Sequence, residues 1–129
     1  MSYKHILVAV DVSHPSQTVI DKAIALAKND NSKLSFVFVD VDRVALTPKE
    51  ESERQQKLRK LADNCDYPVD DTYVVIGDLH IKLAGMVKDL TADLLVCGHH
   101  HQLLRRLFSS VPKLVNAVEA DLFIVYLDE

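Results

Sequence analysis

The sequence predicts a single α/β domain (residues 1–129) in which helices cover both faces of an open, five-stranded parallel β-sheet. Its 129 residues suit one domain, because a second independent core would be hard to fit. Five short apolar runs alternate with segments of helical character, an order that favours right-handed crossovers in a parallel sheet. Most runs are apolar at consecutive positions, as strands covered on both faces require. The predicted strands are Ile6–Val10, Leu34–Val39, Thr72–Ile76, Leu94–Cys97 and Leu122–Val125.

The first helix is predicted between the first two strands, where apolar residues recur at helical spacing. Ser13 or Ser16 could cap this helix, with Pro15 accepted in its first turn. Its apolar stripe is Val19, Ile20, Ala23, Ile24 and Ala27.

Three further helices are predicted from the same spacing. The second, Pro48–Ala62, is mostly solvated, with charged residues that keep its first turns in water. The third follows a break at Gly77-Asp78, and the fourth begins near Ser109 or Ser110, which places Pro112 in its first turn. The charged residues of the second helix are Glu50, Glu51, Glu53, Arg54 and Lys57. The three apolar stripes are Leu58, Leu61 and Ala62; Leu83, Ala84, Val87 and Leu90; and Val111, Leu114, Val115 and Val118.

Composition excludes several classes of protein. The net charge of −4 is spread along the chain, so no basic footprint for nucleic acid is present. No apolar run approaches the roughly 20 residues that span a bilayer, and the N-terminus lacks the pattern of a signal peptide. We therefore expect a protein that binds neither nucleic acid nor membrane. Cys65 and Cys97 are expected to be buried thiols rather than a disulfide, and Lys4 and His5 to be surface residues.

Ligands of open α/β sheets lie beyond the carboxyl ends of the strands, near the switch in strand order. This rule directs attention to Asp11–Ser13, Val39–Asp42, Gly77-Asp78 and Gly98–Ser110. Asp11 follows the first strand, where a carboxylate could meet a ribose hydroxyl or a metal. It could equally organise the turn and, with Ser13, cap the next helix.

The segment from Gly98 to Ser110 carries the most chemistry. Its predicted helix start offers unpaired N–H groups to an anion, Ser109 and Ser110 add hydroxyl donors, and Arg105 and Arg106 add positive charge. A phosphate site is one interpretation, and a helix cap beside a basic surface patch is the other.

Three consecutive histidines, His99, His100 and His101, suggest a metal at first sight. Neighbouring side chains of an extended segment point to opposite sides, and zinc ligands usually have wider spacing. We therefore predict no metal site and interpret the run as a polar, titratable loop. A metal-sensing loop remains a third hypothesis.

No enzyme motif is present. The sequence contains no G-x-x-x-x-G-K-[ST], G-x-G-x-x-G, G-x-S-x-G or H-E-x-x-H pattern, so we predict neither catalytic residues nor an enzyme. A phosphoacceptor role for Asp11 is disfavoured because the last strand leads into Tyr126-Leu127-Asp128, without the lysine that receiver domains carry there.

Several segments together resemble the universal stress protein family, specifically its UspA branch. The resemblance covers essentially the whole chain, with all elements in order. It implies a Rossmann-like sheet in strand order 3-2-1-4-5, a cytoplasmic homodimer paired through its last strand, and a role in the response to starvation and other stresses. The segments that carry it are Tyr3–Ser13, Val39–Asp42, Gly77-Asp78-Leu79, Val96–His100 and Ser109-Ser110.

The resemblance also indicates where a nucleotide would bind. ATP-binding members carry G-x2-G-x9-G-[ST] after the fourth strand. Here Gly98 matches the first glycine, His101 stands at the second, and Ser109-Ser110 stand where Gly-[ST] belongs, two residues early. Each lost glycine places a side chain where the backbone must approach phosphate. The chain has only three glycines, and it resembles the UspA branch, which is associated with not binding ATP.

Outside the phosphate loop, the sequence retains residues at the positions where the resemblance implies contact with a nucleotide. By resemblance, Asp11 would face the ribose, and Ala9 and Val39 would lie near the adenine. The leading hypothesis is a non-enzymatic, UspA-type stress protein that needs no cofactor and acts through contacts with protein partners that the sequence does not identify. The alternative is a nucleotide-binding switch with a remodelled phosphate loop.

The dimer expectation has an independent physical basis. The last strand would be an apolar edge strand, and an uncovered edge of this kind is an aggregation hazard unless a partner pairs with it. The candidate interface residues are Leu122, Phe123, Ile124, Val125, Tyr126 and Leu127.

Overall fold

The computed structural model describes residues 2–100 and 112–127, with residues 99 and 100 described by their backbone alone. The strands are β1 (His5–Ala9), β2 (Lys33–Asp40), β3 (Asp71–Ile76), β4 (Leu94–His100) and β5 (Asp121–Leu127). The helices are α1 (Gln17–Asp30), α2 (Pro48–Asp63) and α3 (Leu79–Leu90), and residues 112–117 are also helical. The predicted start of the last helix near Ser109 or Ser110 lies outside the described residues.

The five strands form one parallel sheet in the order β3-β2-β1-β4-β5, as the resemblance implied. Central strand β1 pairs with β2 on one side and β4 on the other, so that Val8 lies opposite both Phe36 and Val96. The chain winds outward from β1 to β3 and then returns to β4. The strand order therefore switches between β1 and β4.

Helices cover both faces of the sheet, which explains the continuous apolar runs. Ile6 and Val8 face a core that includes Ile20 of α1 and Leu58 of α2. Leu7, between them in sequence, faces a second core with residues of α3 and with Leu114 and Val118. Because alternate strand residues point to opposite faces, both sets must be apolar.

Two helix starts are fixed by side-chain caps. Ser16 caps α1, since its hydroxyl accepts the Val19 N–H at 3.3 Å. Pro15 therefore precedes the cap, and its predicted place in the first turn is wrong. At α2, Thr47 accepts the Glu50 N–H at 3.1 Å, and Glu50 in turn accepts the Thr47 N–H at 3.0 Å.

His5 is a buried residue of β1, so its prediction as a surface residue is wrong. Its side chain is only 7% exposed, because β2 and the end of α3 cover it. Nδ1 lies 3.0 Å from the Leu90 carbonyl oxygen and therefore donates, since a carbonyl only accepts. Nε2 lies 2.9 Å from Ser35 Oγ. Both ring nitrogens thus have partners, which is what makes burial of this polar ring acceptable.

Both cysteines are free thiols, as predicted, but only Cys97 is buried, so the predicted burial of Cys65 is wrong. Burial raises the pKa of Cys97 to about 12, and burial together with Asp66 and Asp21 raises the pKa of the half-buried Cys65. Within the described ranges, no helix is long and apolar enough to cross a membrane.

Candidate functional site

A cleft of about 730 Å³ opens at the carboxyl ends of β1, β2 and β4, where the strand order switches. This is the location that the sheet topology predicts for a ligand. The structure brings four predicted residues together on its walls: Ala9, Asp11, Val39 and Gly98. Of the four segments singled out from the sequence, each contributes to the lining.

The remaining predicted residues lie outside the described part of the chain. These are His101, Ser109, Ser110, Arg105 and Arg106, and the side chains of His99 and His100 are likewise not described. Their roles in an anion or metal site stay predictions. Between residues 2–98 and 112–127, no three histidine, cysteine or carboxylate side chains come together to hold a metal ion.

Asp11 organises the turn that follows β1. Its Oδ1 accepts the Ser13 N–H at 2.9 Å and the His14 N–H at 3.4 Å, and its Oδ2 lies 4.0 Å from His14 Nδ1. The turn-forming role is thus confirmed, whereas the cap of α1 is Ser16. Because Asp11 also lines the cleft, with 37% of its side chain exposed, a contact with a ligand is compatible with the turn.

Gly98 lies within β4, which continues to His100, so the predicted end of this strand at Cys97 is wrong. A Cβ atom at this position would lie 2.8 Å from Val19 Cγ2 and 3.0 Å from Leu127 Cδ1. Both distances are too short for an ordinary contact. The glycine therefore leaves room for the side chains of Val19 from α1 and Leu127 from the neighbouring strand β5, a requirement independent of any phosphate.

Two ion pairs fix the wall formed by the β2–α2 connection. Arg54 Nε lies 3.0 Å from Asp40 Oδ2, and Arg54 Nη1 donates to the Glu50 carbonyl at 3.3 Å. Arg43 Nη2 lies 2.7 Å from Glu50 Oε2. Asp40 is itself buried at the end of β2, where its Oδ1 accepts the Asp42 N–H at 3.2 Å.

The position of Arg54 corrects the expectation that the first turns of α2 are held in water. Its side chain is only 23% exposed, because it reaches back to Asp40. Periodicity along α2 could not reveal a partner 14 residues away. The one available signal was Asp40 itself, a carboxylate at the end of an otherwise apolar strand, since a buried charge needs a partner.

The described walls of the cleft carry more negative than positive charge. Four carboxylates line it against three permanent cations, and two of those cations are already paired with Asp40 and Glu50. These walls therefore offer little net attraction to a multiply charged anion. The carboxylates are Asp11, Asp40, Asp42 and Asp78, and the cations are Arg43, Arg54 and Lys113.

This combination of a doubly wound parallel sheet and a cleft at its switch point defines an α/β protein of the Rossmann-like class. Residues 2–125 match the profile of the universal stress protein family. The chain belongs to that family. It is 37% identical to universal stress protein A of Yersinia pestis over 98% of this chain and 94% of that relative.

Solved structures show the same fold. A universal stress protein in complex with cAMP superposes with a TM-score of 0.72 at 23% identity, over 98% of each chain. The universal stress protein from Archaeoglobus fulgidus in complex with dAMP superposes with a TM-score of 0.73 at 16% identity, over 97% of this chain and 99% of the other.

Proposed function

We propose that this chain is a non-enzymatic, cytoplasmic stress protein of the UspA type, which works as a homodimer through protein contacts and does not hold ATP tightly. The proposal rests on which residues stand at the end of the cleft where the phosphates of a nucleotide would lie. The glycine that remains there, Gly98, is needed for packing against Val19 and Leu127. The positions that would let a backbone approach phosphate are occupied by His101 and Ser109.

The charges on the described walls support the same conclusion. A triphosphate brings several negative charges, and its binding normally relies on backbone N–H groups and cations that are not already neutralised. Arg54 and Arg43 are each engaged by a carboxylate. Their attraction for phosphate is therefore largely cancelled locally.

The test is the nucleotide content of protein purified from its own cells. Native mass spectrometry is expected to show the chain without bound nucleotide, and heat-released supernatant should contain far less than one ATP per chain. ATP retained at one equivalent through gel filtration would overturn the proposal.

The alternative is a nucleotide-binding switch, and two observations favour it. The cleft keeps Ala9, Asp11 and Val39 on its walls, and the relatives described above are complexed with cAMP or dAMP. This alternative predicts that millimolar ATP raises the melting temperature and that Asp11→Ala abolishes the rise. Asp11→Asn is the matched control, because its side-chain oxygen can still accept the Ser13 and His14 N–H groups. No rise at millimolar ATP would count against a switch.

The dimer part of the proposal rests on β5. This strand lies beside β4 at the edge of the sheet that residues 2–100 and 112–127 form, and an edge strand can pair with a strand of another chain. Val125 and Leu127 are buried in the chain's own core, so their side chains serve the fold. Phe123 and Tyr126 are exposed, at 36% and 69%, and supply apolar surface next to the edge. Light scattering at micromolar concentration should give the mass of a dimer.

A further inference from the structure

Strand β3 lies at the edge of the sheet opposite to β5. It pairs with β2, and no strand within residues 2–100 and 112–127 pairs with its outer side. The strand ends in four largely apolar side chains, those of Tyr73, Val74, Val75 and Ile76. An edge strand of this kind can take up a further strand through its backbone N–H and C=O groups. The surroundings of β3 determine which strand would fit.

The two faces of β3 are covered unequally. On one face, α2 packs against β3, and Val74 contacts the core that contains Leu58. On the other face, α3 packs mainly against β2 and β1, and Tyr73 and Val75 are only partly buried at the margin of the second core. Strands of a parallel sheet are normally covered on both faces. Tyr73 and Val75 therefore leave apolar surface open next to the edge of the sheet.

One flank of α3 adds to this surface. A Cβ atom at Gly77, just after β3, would lie 2.8 Å from Lys82 Cε, so the flank of α3 that carries Lys82 faces the end of β3. Met86 lies one turn further along that flank and is partly buried at the margin of the same core as Tyr73 and Val75. Tyrosine and methionine are both enriched at protein interfaces. Tyr73, Val75 and Met86, together with the outer edge of β3, are called the β3 strip below.

The β3 strip is acidic at the end where β3 begins. Asp71 is exposed at the first position of the strand, and burial together with this carboxylate raises the pKa of Tyr73, which places Asp71 beside the strip. Asp89 is exposed in the last turn of α3, which returns to the same end of the sheet. Neither carboxylate is part of an ion pair among the described residues. A complementary segment therefore carries basic side chains at this end.

A second copy of this chain is not the occupant that the proposed assembly allows. The homodimer of the proposed function pairs through β5, at the opposite edge of the sheet. A further contact between copies through β3 would join dimer to dimer without closing the assembly. The occupant is therefore a segment of a different protein, and this inference rests on the proposed function, in which the chain acts through protein contacts.

We propose that the β3 strip is a docking site for an extended segment of a partner protein, six residues long to match β3, which adds a strand antiparallel to it. Alternate side chains of the segment are apolar and pack on Tyr73, Val75 and Met86, and basic side chains follow at its C-terminal end, beside Asp71 and Asp89. Antiparallel pairs are slightly more stable than parallel ones, and many parallel sheets carry an antiparallel strand at one edge. Backbone hydrogen bonds supply the affinity, and the side chains supply the specificity.

A synthetic peptide tests the docking site. The probe alternates valine and threonine, ends in a pair of lysines, and has both termini blocked so that they carry no charge. When the isotopically labelled protein is titrated with this peptide, the amide resonances that shift are expected to cluster on β3 and around Met86. A peptide that ends in a pair of glutamates instead should bind at least about fivefold more weakly, because its carboxylates face Asp71 and Asp89.

Charge reversal assigns the preference to this end of β3. Asp71→Lys should reverse it, so that the glutamate peptide binds more tightly than the lysine peptide. Asp21→Lys is the matched control, because it changes the net charge equally and Asp21 is exposed on α1, which covers the opposite face of the sheet. It should keep the wild-type preference. Met86→Ala should weaken the binding of both peptides alike, since it removes apolar contact and no charge.

Five results would overturn the proposal. These are no shift at millimolar peptide, shifts that cluster away from β3, equal affinity for the two peptides, a preference that survives Asp71→Lys, or a wild-type mass above that of a dimer, which would place a second copy on the strip. Should Asp71→Lys fail to fold, as judged by circular dichroism, the comparison of the two peptides on the wild-type protein decides.

Failure of this inference and failure of the proposed function give different results. Retained ATP or a monomeric wild type would contradict the proposed function and leave the peptide-induced shifts on β3 as expected. A peptide that does not bind would remove the docking site and leave a nucleotide-free dimer intact.

Discussion

At the scale of single residues, Gly98 illustrates how one position serves the packing of three elements. It lies in β4, between Val19 of α1 and Leu127 of β5. The sequence placed this glycine correctly at the cleft but assigned it to the end of the strand. Its neighbours come from residues 79 positions earlier and 29 positions later, and no local pattern reports contacts of that range.

Gly98→Ala should therefore destabilise the protein. The added Cβ would force Val19 and Leu127 to move, as happens when a well-packed core is overfilled, at about 1–3 kcal/mol. Urea unfolding measures the loss. Gly85→Ala is the control, because its Cβ would meet nothing within 4 Å inside α3 and should stabilise the helix by about 0.5–1 kcal/mol. Equal effects of the two substitutions would contradict this account of position 98.

Cys97 provides a pH-dependent prediction. Burial raises its pKa from 9.0 to about 12, so in the folded state it keeps its proton while the unfolded chain loses it. As pH rises from about 9 towards 12, the unfolded state binds fewer protons, and the free energy of unfolding falls. For Cys97→Ala, the free energy of unfolding should fall less over this pH range, because the variant has no thiol to titrate. Urea unfolding of both proteins between pH 8 and 10.5 makes the comparison, and parallel curves would refute the assignment.

At the scale of elements, α2 shows a helix start that the sequence encodes locally. Its predicted bounds, Pro48–Ala62, differ from the observed Pro48–Asp63 by one residue. The capping box of Thr47 and Glu50 accounts for this agreement, because it satisfies backbone groups within four residues of one another. Hydrogen bonding within the cap also lowers the pKa of Glu50, with the Thr47 backbone N–H as the main cause and Arg43 contributing.

Removing the cap tests its contribution. Thr47→Ala should lower the free energy of unfolding by about 1 kcal/mol, the usual effect of losing an N-cap side chain. Ser52→Ala is the control on the same helix, since Ser52 is exposed and its described contact is with Gln56 at 3.3 Å. It should change stability by less than about 0.5 kcal/mol. Chemical denaturation of both variants gives the values, and an unchanged Thr47→Ala would show that tertiary packing alone holds this end of α2.

At the scale of the whole molecule, the edge of the sheet determines the proposed assembly. Strand β5 has β4 on one side, and within the described chain no strand pairs with its other side. Homodimerisation along this edge would satisfy its backbone groups and cover Phe123.

Phe123→Lys tests this arrangement. A lysine on an edge strand opposes pairing, so the variant is expected to be monomeric at micromolar concentration while the wild type is dimeric. Ile81→Lys is the control, because Ile81 is 56% exposed on α3, away from this edge. It should remain dimeric. Light scattering distinguishes the masses. A monomeric wild type would remove the dimer from the proposed function, and a dimeric Phe123→Lys would place the interface elsewhere.

By itself, the sequence determined the parallel sheet, the helix stripes and the position of the cleft. These features follow from periodicity and from the alternation of strands and helices, which are local properties of the chain. Strand order and family came from motifs such as Gly77-Asp78, where the positive φ of Gly77 suits a residue without a side chain. Only the tertiary structure decided that His5 is buried, that Gly98 is a packing residue and that Arg54 reaches Asp40. Each of these depends on contacts between residues far apart in sequence, which form only when the helices close over the sheet.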